Sequence, residues 1–136
     1  MKRRSPSPRA LRVAEEIQRE IALRLASEVK DPRLSGITVT QVLVNADLSV
    51  ATLRYVGPGG LAQEAEYQRG FASVAGLLRR AIAERLTLFK APVLRFEYDR
   101  EFEEGVRLSA LIDQARADDR RLLGEAGETP RDKASE

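Results

Sequence analysis

Seven apolar residues between Tyr67 and Phe89 recur at steps of three and four: Tyr67, Phe71, Val74, Leu78, Ile82, Leu86 and Phe89. That spacing places them on one face of a helix. It predicts a long amphipathic helix over about residues 62–90, with Ala91-Pro92 as its stop. Gly57-Pro58-Gly59-Gly60 breaks the chain before it. The segments on either side read as strands. Ser49 to Val56 alternates, with Ala51, Leu53 and Tyr55 on one face. Val93 to Asp99 alternates, with Leu94, Phe96 and Tyr98 on one face. A long helix joining two strands is a crossover unit; if those two strands are parallel in one sheet, the connection should be right-handed.

The rest of the chain fits around this unit. Val13, Ile17, Ile21 and Leu25 recur at i+4 and predict a helix over about 8–29, ended by Asp31-Pro32. Its other faces carry Glu15, Glu16, Glu20 and Arg24. Ile37-Thr38-Val39-Thr40 alternates, and Val42 and Val44 resume the pattern after a one-residue slip. A β-bulge or face change near Gln41 explains the slip. Asn45-Ala46-Asp47 is a turn, so the first two strands form an antiparallel hairpin. A shorter helix over about 102–116 carries Val106, Leu108, Leu111 and Ile112. The order is α-β-β-α-β-α. The economical packing is an α+β fold in two layers, a three-stranded sheet with helices on one face. Strand order in space is not set by the pattern.

Residues 1–8, with Ser5-Pro6-Ser7-Pro8, read as a flexible basic arm. Residues 9–116 read as one domain and 117–136 as an acidic tail, disordered from about 125. The charge is uneven. Residues 1–12 hold five basic side chains and no acid, residues 13–100 are nearly balanced, and residues 101–136 hold ten acids against six bases. A basic front end points to an anionic partner, although a solvated arm has the same composition. No apolar run is long enough for a membrane span, and no signal-peptide core follows the charged start. A cytoplasmic protein is expected.

The chain has neither cysteine nor histidine. This removes thiolate chemistry, zinc–sulfur sites and the commonest general base. Glu15-Glu16, Glu103-Glu104 and Asp118-Asp119 are adjacent pairs, which diverge on a helix rather than converge on a proton or metal. Gly57–Gly60 lacks the Lys-Ser/Thr of a nucleotide loop and reads as a flexible connector. No catalytic site, metal or cofactor is expected.

The long helix carries a different signal. Gly70 and Gly76 lie inside it, each costing about 1 kcal/mol relative to Ala. Gly76 lies off the apolar stripe and shares a face with Arg79 and Arg80. A glycine there exposes backbone and permits a kink or a close approach. Arg85 and Lys90 follow toward the helix end. Bare backbone beside cations suits a sugar–phosphate chain. The competing reading has Gly76 relieving packing and Arg80 solvated with Glu84 as its i+4 partner. At the front end, Arg9 and Arg12 are further candidates for RNA contact.

Several segments, in order, carry a family likeness. They are Arg12-Val13-Ala14-Glu15-Glu16-Ile17, Glu28-Val29-Lys30-Asp31-Pro32-Arg33-Leu34, Ile37-Thr38-Val39-Thr40-Gln41-Val42, Asp47-Leu48-Ser49-Val50-Ala51, Gly76-Leu77-Leu78-Arg79 and Ala91-Pro92-Val93-Leu94-Arg95-Phe96-Glu97-Tyr98-Asp99. With these the chain resembles bacterial ribosome-binding factor A from Arg12 to about Leu111. The resemblance implies a KH-like fold of the bacterial type (type II KH), with a helix–kink–helix in place of a glycine-rich RNA-gripping loop. In the family the kink lies at a small residue, any residue, then Gly; here the segment is Val74-Ala75-Gly76, with Val at the first position. The resemblance also implies a role. Such proteins bind free 30S small ribosomal subunits, contact 16S rRNA, assist late maturation and end processing, and do not cut RNA. It adds Arg33 to the candidate RNA contacts, although an ion pair or cap with Asp31 would explain that turn without RNA.

Two functions of different class remain: a ribosome assembly factor, and a protein-interaction module of similar shape acting through its acidic last third. A monomer is expected, because the assigned elements leave no long apolar stripe uncovered.

Overall fold

The computed structural model describes the backbone of residues 7–87 and 90–128. Residues 1–100 and 101–136 form two compact units. In the first unit, α1 spans Pro8–Ser27, β1 Thr38–Val44, β2 Val50–Val56, α2 Glu64–Leu86 and β3 Val93–Tyr98. Single 3₁₀ turns lie at Pro32–Leu34 and Leu61–Gln63. The second unit is one helix, α3, spanning Arg100–Glu128.

The sheet order is β1-β2-β3. β1 and β2 are antiparallel, with a register shift between Val39 and Gln41, the place where the alternation slips. β2 and β3 are parallel, from Val50 opposite Val93 to Tyr55 opposite Tyr98. The helix α2 therefore is the crossover that its position between two alternating runs implies. Ala51, Leu53 and Tyr55 are fully buried on the inner face of the central strand, against Ile17 and Ile21 of α1 and Phe71, Leu78 and Ile82 of α2 in one core. Full burial of each large side chain contributes about 1.5–3 kcal/mol relative to exposure. Aromatic rings order this core. Phe71 stacks on Phe96 with centroids 4.5 Å apart, and Tyr55 meets Tyr98 edge-on at 5.3 Å. Burial pushes the Tyr55 hydroxyl pKa up to about 12, and Gln68 Nε2 donates to that oxygen and to the Phe96 carbonyl.

Four local expectations change. Helix α1 begins at Pro8, where the pattern expects it, and the Ser7 side chain caps it by accepting from the Ala10 amide. The last two residues of the expected arm thus belong to a helix start, and residues 1–6 lie outside the described residues. Helix α2 ends at Leu86 rather than near 90, because Thr87 takes the left-handed conformation and its amide bonds back to the Ala83 carbonyl. Phe89, the last member of the stripe, lies outside the described residues. Helix α3 runs well past 116 and includes 125–128. Its later turns contain strong helix formers and local pairs, Gln114 with Asp118 and Arg121 with Asp118. Residues 129–136 lie outside the described residues.

The connector Gly57–Gly60 is pinned rather than loose. The Tyr67 hydroxyl accepts from the Gly59 amide at 2.8 Å, and the Tyr98 hydroxyl accepts from the Gly57 amide at 3.4 Å. A Cβ on Gly57 would stand 2.5 Å from Tyr67 Cζ, so only glycine admits this ring. Gly60 has φ +72°, which also favours glycine.

Candidate nucleic-acid interface

Eight residues stand out in the sequence as candidate RNA contacts, and the structure divides them. Three of the arginines are engaged within the fold. Arg33 grips Asp31 with two parallel bonds, Nε to Oδ1 at 3.0 Å and Nη2 to Oδ2 at 2.7 Å. Asp31 also caps the Pro32–Leu34 turn by accepting from the Arg33 amide, and it accepts from the Ser73 hydroxyl of α2 at 3.0 Å. The Arg33 guanidinium and amide hold the Asp31 carboxyl well below the usual carboxylate range. Arg79 donates from Nε to the Pro92 carbonyl and from Nη2 to the Ala91 carbonyl, each at 3.2 Å. It clamps the link into β3. Arg85 pairs with Glu20 of α1 at 3.6 Å.

The sequence spacing places Glu20 on a solvent face of α1, and the structure does not. Glu20 is buried, and Arg24 Nε holds its other oxygen at 2.7 Å. The i+4 spacing of Glu20 and Arg24 was visible in the sequence; the reach of Arg85 from α2 was not. Glu20 thus links α1 to α2: Arg24 of its own helix holds one oxygen closely, and the exposed Arg85 of α2 meets the other at longer range.

The remaining candidates are Arg9, Arg12, Arg80, Lys90 and Gly76. All five are exposed. Among the described residues, none of the four cations has an ion pair, and the Arg80–Glu84 pair that the spacing allowed is not formed. A Cβ on Gly76 would meet nothing within 4 Å. The close approach expected at Gly76 occurs at Gly70 instead, where a Cβ would lie 2.8 Å from Leu34 Cδ2 and 3.3 Å from Arg33 Cβ. The structure brings Arg9 and Lys90 together. Both line a cleft of about 470 Å³ whose other walls are the β1–β2 turn and the start of β3. Asp47 in that turn accepts from the Ser49 hydroxyl at 2.6 Å and the Ser49 amide at 3.1 Å, which holds its carboxyl below the usual range.

Helix α3 exposes Phe102, Val106, Leu108, Leu111, Ile112, Leu122 and Leu123. The ground given for a monomer, the lack of an uncovered apolar stripe, therefore does not hold. No helix among the described residues is long and apolar enough to cross a membrane.

The order and pairing of these elements define an α+β protein of KH-like type, with α1 and α2 packed on the sheet and a set of surface cations that have no ion pair among the described residues. The sequence profile of Ribosome-binding factor A matches residues 9–112, and the chain belongs to that family. A Ribosome-binding factor A of Methylobacillus flagellatus is 47% identical over 108 residues, covering 79% of this chain and 84% of the relative. That of Thiobacillus denitrificans is 43% identical over 112 residues, covering 82% and 90%. Solved structures agree. A solution structure of a Thermotoga maritima ribosome binding factor A protein superposes with TM-score 0.62 at 26% identity, covering 71% of this chain and 92% of that one. A homology model of the Thermus thermophilus factor, fitted into a cryo-electron-microscopy map of its complex with the 30S subunit, gives TM-score 0.53 at 25% identity, covering 64% and 91%.

Proposed function

We propose that this protein is a ribosome assembly factor. It binds free 30S subunits, contacts 16S rRNA, and assists late maturation and processing of that RNA in the cytoplasm without cutting it. The observation that carries the reading is the family match over residues 9–112, which spans every candidate cation. The Thermus relative fitted into a 30S complex supports the partner. Residues 9–116 are the RNA-binding part, and the acidic residues from 117 onward lie outside it. The unpaired cations Arg9, Arg12, Arg80 and Lys90 supply phosphate contacts, which give affinity and salt dependence, while the shape of one RNA site supplies specificity. Arg33, Arg79 and Arg85 act mainly within the fold.

Sucrose-gradient sedimentation of the tagged protein in a bacterial lysate tests this. The expected result is co-migration with free small subunits at low salt, loss at moderate salt, and absence from intact ribosomes. Protein that stays at the top of the gradient at low salt would refute the proposal.

A further inference from the structure

The cleft that joins Arg9 to Lys90 supports a sharper statement, which rests on the RNA-binding reading above. We infer that this cleft is a subsite for a backbone phosphate of single-stranded RNA, with Arg9 and Lys90 as its ligands and Arg79 as the residue that positions Lys90.

Three observations combine. The cleft, at about 470 Å³, lies in the range of small-molecule sites and has room for a nucleotide. Its two cations come from different elements, the first turn of α1 and the link between α2 and β3, and neither has a carboxylate partner among the described residues. The first turn of α1 has no acidic residue, so the positive end of its backbone dipole is uncompensated where Arg9 stands. The carboxylate in the cleft wall, Asp47, already accepts two bonds from Ser49. Leu48, Val50 and Val93 add apolar wall, which suits the sugar or base beside a phosphate better than a free inorganic ion.

Arg79 completes the arrangement without touching the ligand. Its guanidinium binds the carbonyls of Ala91 and Pro92, and Pro92 is fully buried. The backbone immediately after Lys90 is thus fixed to α2, which limits how far the Lys90 side chain can wander from Arg9.

The test measures binding of a fluorescent oligouridylate, and separately of purified free 30S subunits, over a series of NaCl concentrations. The full-length chain is used throughout. Arg9→Gln/Lys90→Gln should weaken binding at least tenfold at low salt. It should also flatten the slope of log K against log salt by about 1.4, at about 0.7 per lost single-strand contact. Asp47→Asn should tighten binding about twofold, as expected when a like charge leaves the phosphate's surroundings. Arg69→Gln removes an exposed cation outside the cleft and should leave binding unchanged. Arg79→Gln should weaken binding alone, but add nothing once Lys90 is already Gln, an interaction that a purely structural role would not produce. Wild-type affinity and slope in the Arg9/Lys90 variant would overturn the subsite while leaving the RNA-binding reading intact. Failure of the unaltered protein to bind either the oligonucleotide or the subunits would remove both.

Discussion

Gly70 and Gly76 lie on the same helix, yet their surroundings are opposite. At Gly70, α2 presses onto the Pro32–Leu34 turn, and Leu34 and Arg33 fill the space a side chain would need. The charges of that turn are paired: Arg33 holds Asp31, and Ser73 reaches the same carboxylate. At Gly76 the helix faces open space, and Arg80 has no ion pair among the described residues. At Gly70 the helix surface is fastened to the body; at Gly76 one strip of the helix is bare, although Leu78 and Ile82 on its other face are buried and Arg79 and Arg85 nearby are engaged within the fold. The contrast separates two uses of the same residue types. Gly70 and Arg33 build the fold, whereas Gly76 and Arg80 are left for a partner.

The largest expected effect falls on the fastened surface. Gly70→Val forces atoms into Leu34 and should destabilise the protein by about 1–3 kcal/mol, read as a lower Tm and a lower urea midpoint. An unchanged midpoint would mean that the turn can move aside and the contact is not tight. Gly76→Ala should do the reverse, raising stability by up to about 1 kcal/mol through helix propensity alone. Its binding to small subunits should nevertheless fall, because the added methyl stands where backbone was bare. A variant that gains stability and keeps full binding would remove Gly76 from the interface.

A smaller effect concerns acid. The folded pKa of Asp31 is depressed, so its contribution to stability is complete above the ordinary carboxylate pKa of about 3.9. It is lost as pH falls below that value toward the folded pKa. Asp31→Asn should therefore be less stable than the parent at neutral pH, and the two Tm curves should converge as pH drops from about 4 toward 2. Parallel curves would show that the Asp31–Arg33 pair does not set the acid limb. The same substitution should leave the salt dependence of subunit binding unchanged, since the pair belongs to the fastened region.

Much of the fold was legible because its signals are periodic. The stripe from Tyr67, the alternation around Leu53 and the slip near Gln41 correspond to α2, the central strand and the bulge. The end of α2 was not legible, because Thr87 takes the left-handed conformation, and a left-handed threonine has no pattern of its own. The length of α3 was hidden by the opposite problem: beyond Arg116 the apolar spacing fades, while helix propensity and i+3 and i+4 pairs persist. The candidate site was legible as a list of cations and no further. Sequence spacing could suggest Asp31 for Arg33, but it could not show that Arg79 reaches Ala91 and Pro92, that Arg85 reaches Glu20, or that Arg9 and Lys90 line one cleft. Those are tertiary relations between elements far apart in the chain.

The central claim is that cations without a partner in the fold carry the RNA, whereas those with one carry stability. The direct measurement is a paired salt titration of 30S binding, with Tm recorded for each variant. One set is Arg9→Gln, Arg12→Gln, Arg80→Gln and Lys90→Gln; the other is Arg33→Gln and Arg85→Gln. The first set should lower affinity and flatten the salt slope with little change in Tm. The second should lower Tm and leave the slope near its original value. The reverse assignment, flattened slopes in the second set and lowered Tm in the first, would contradict the account.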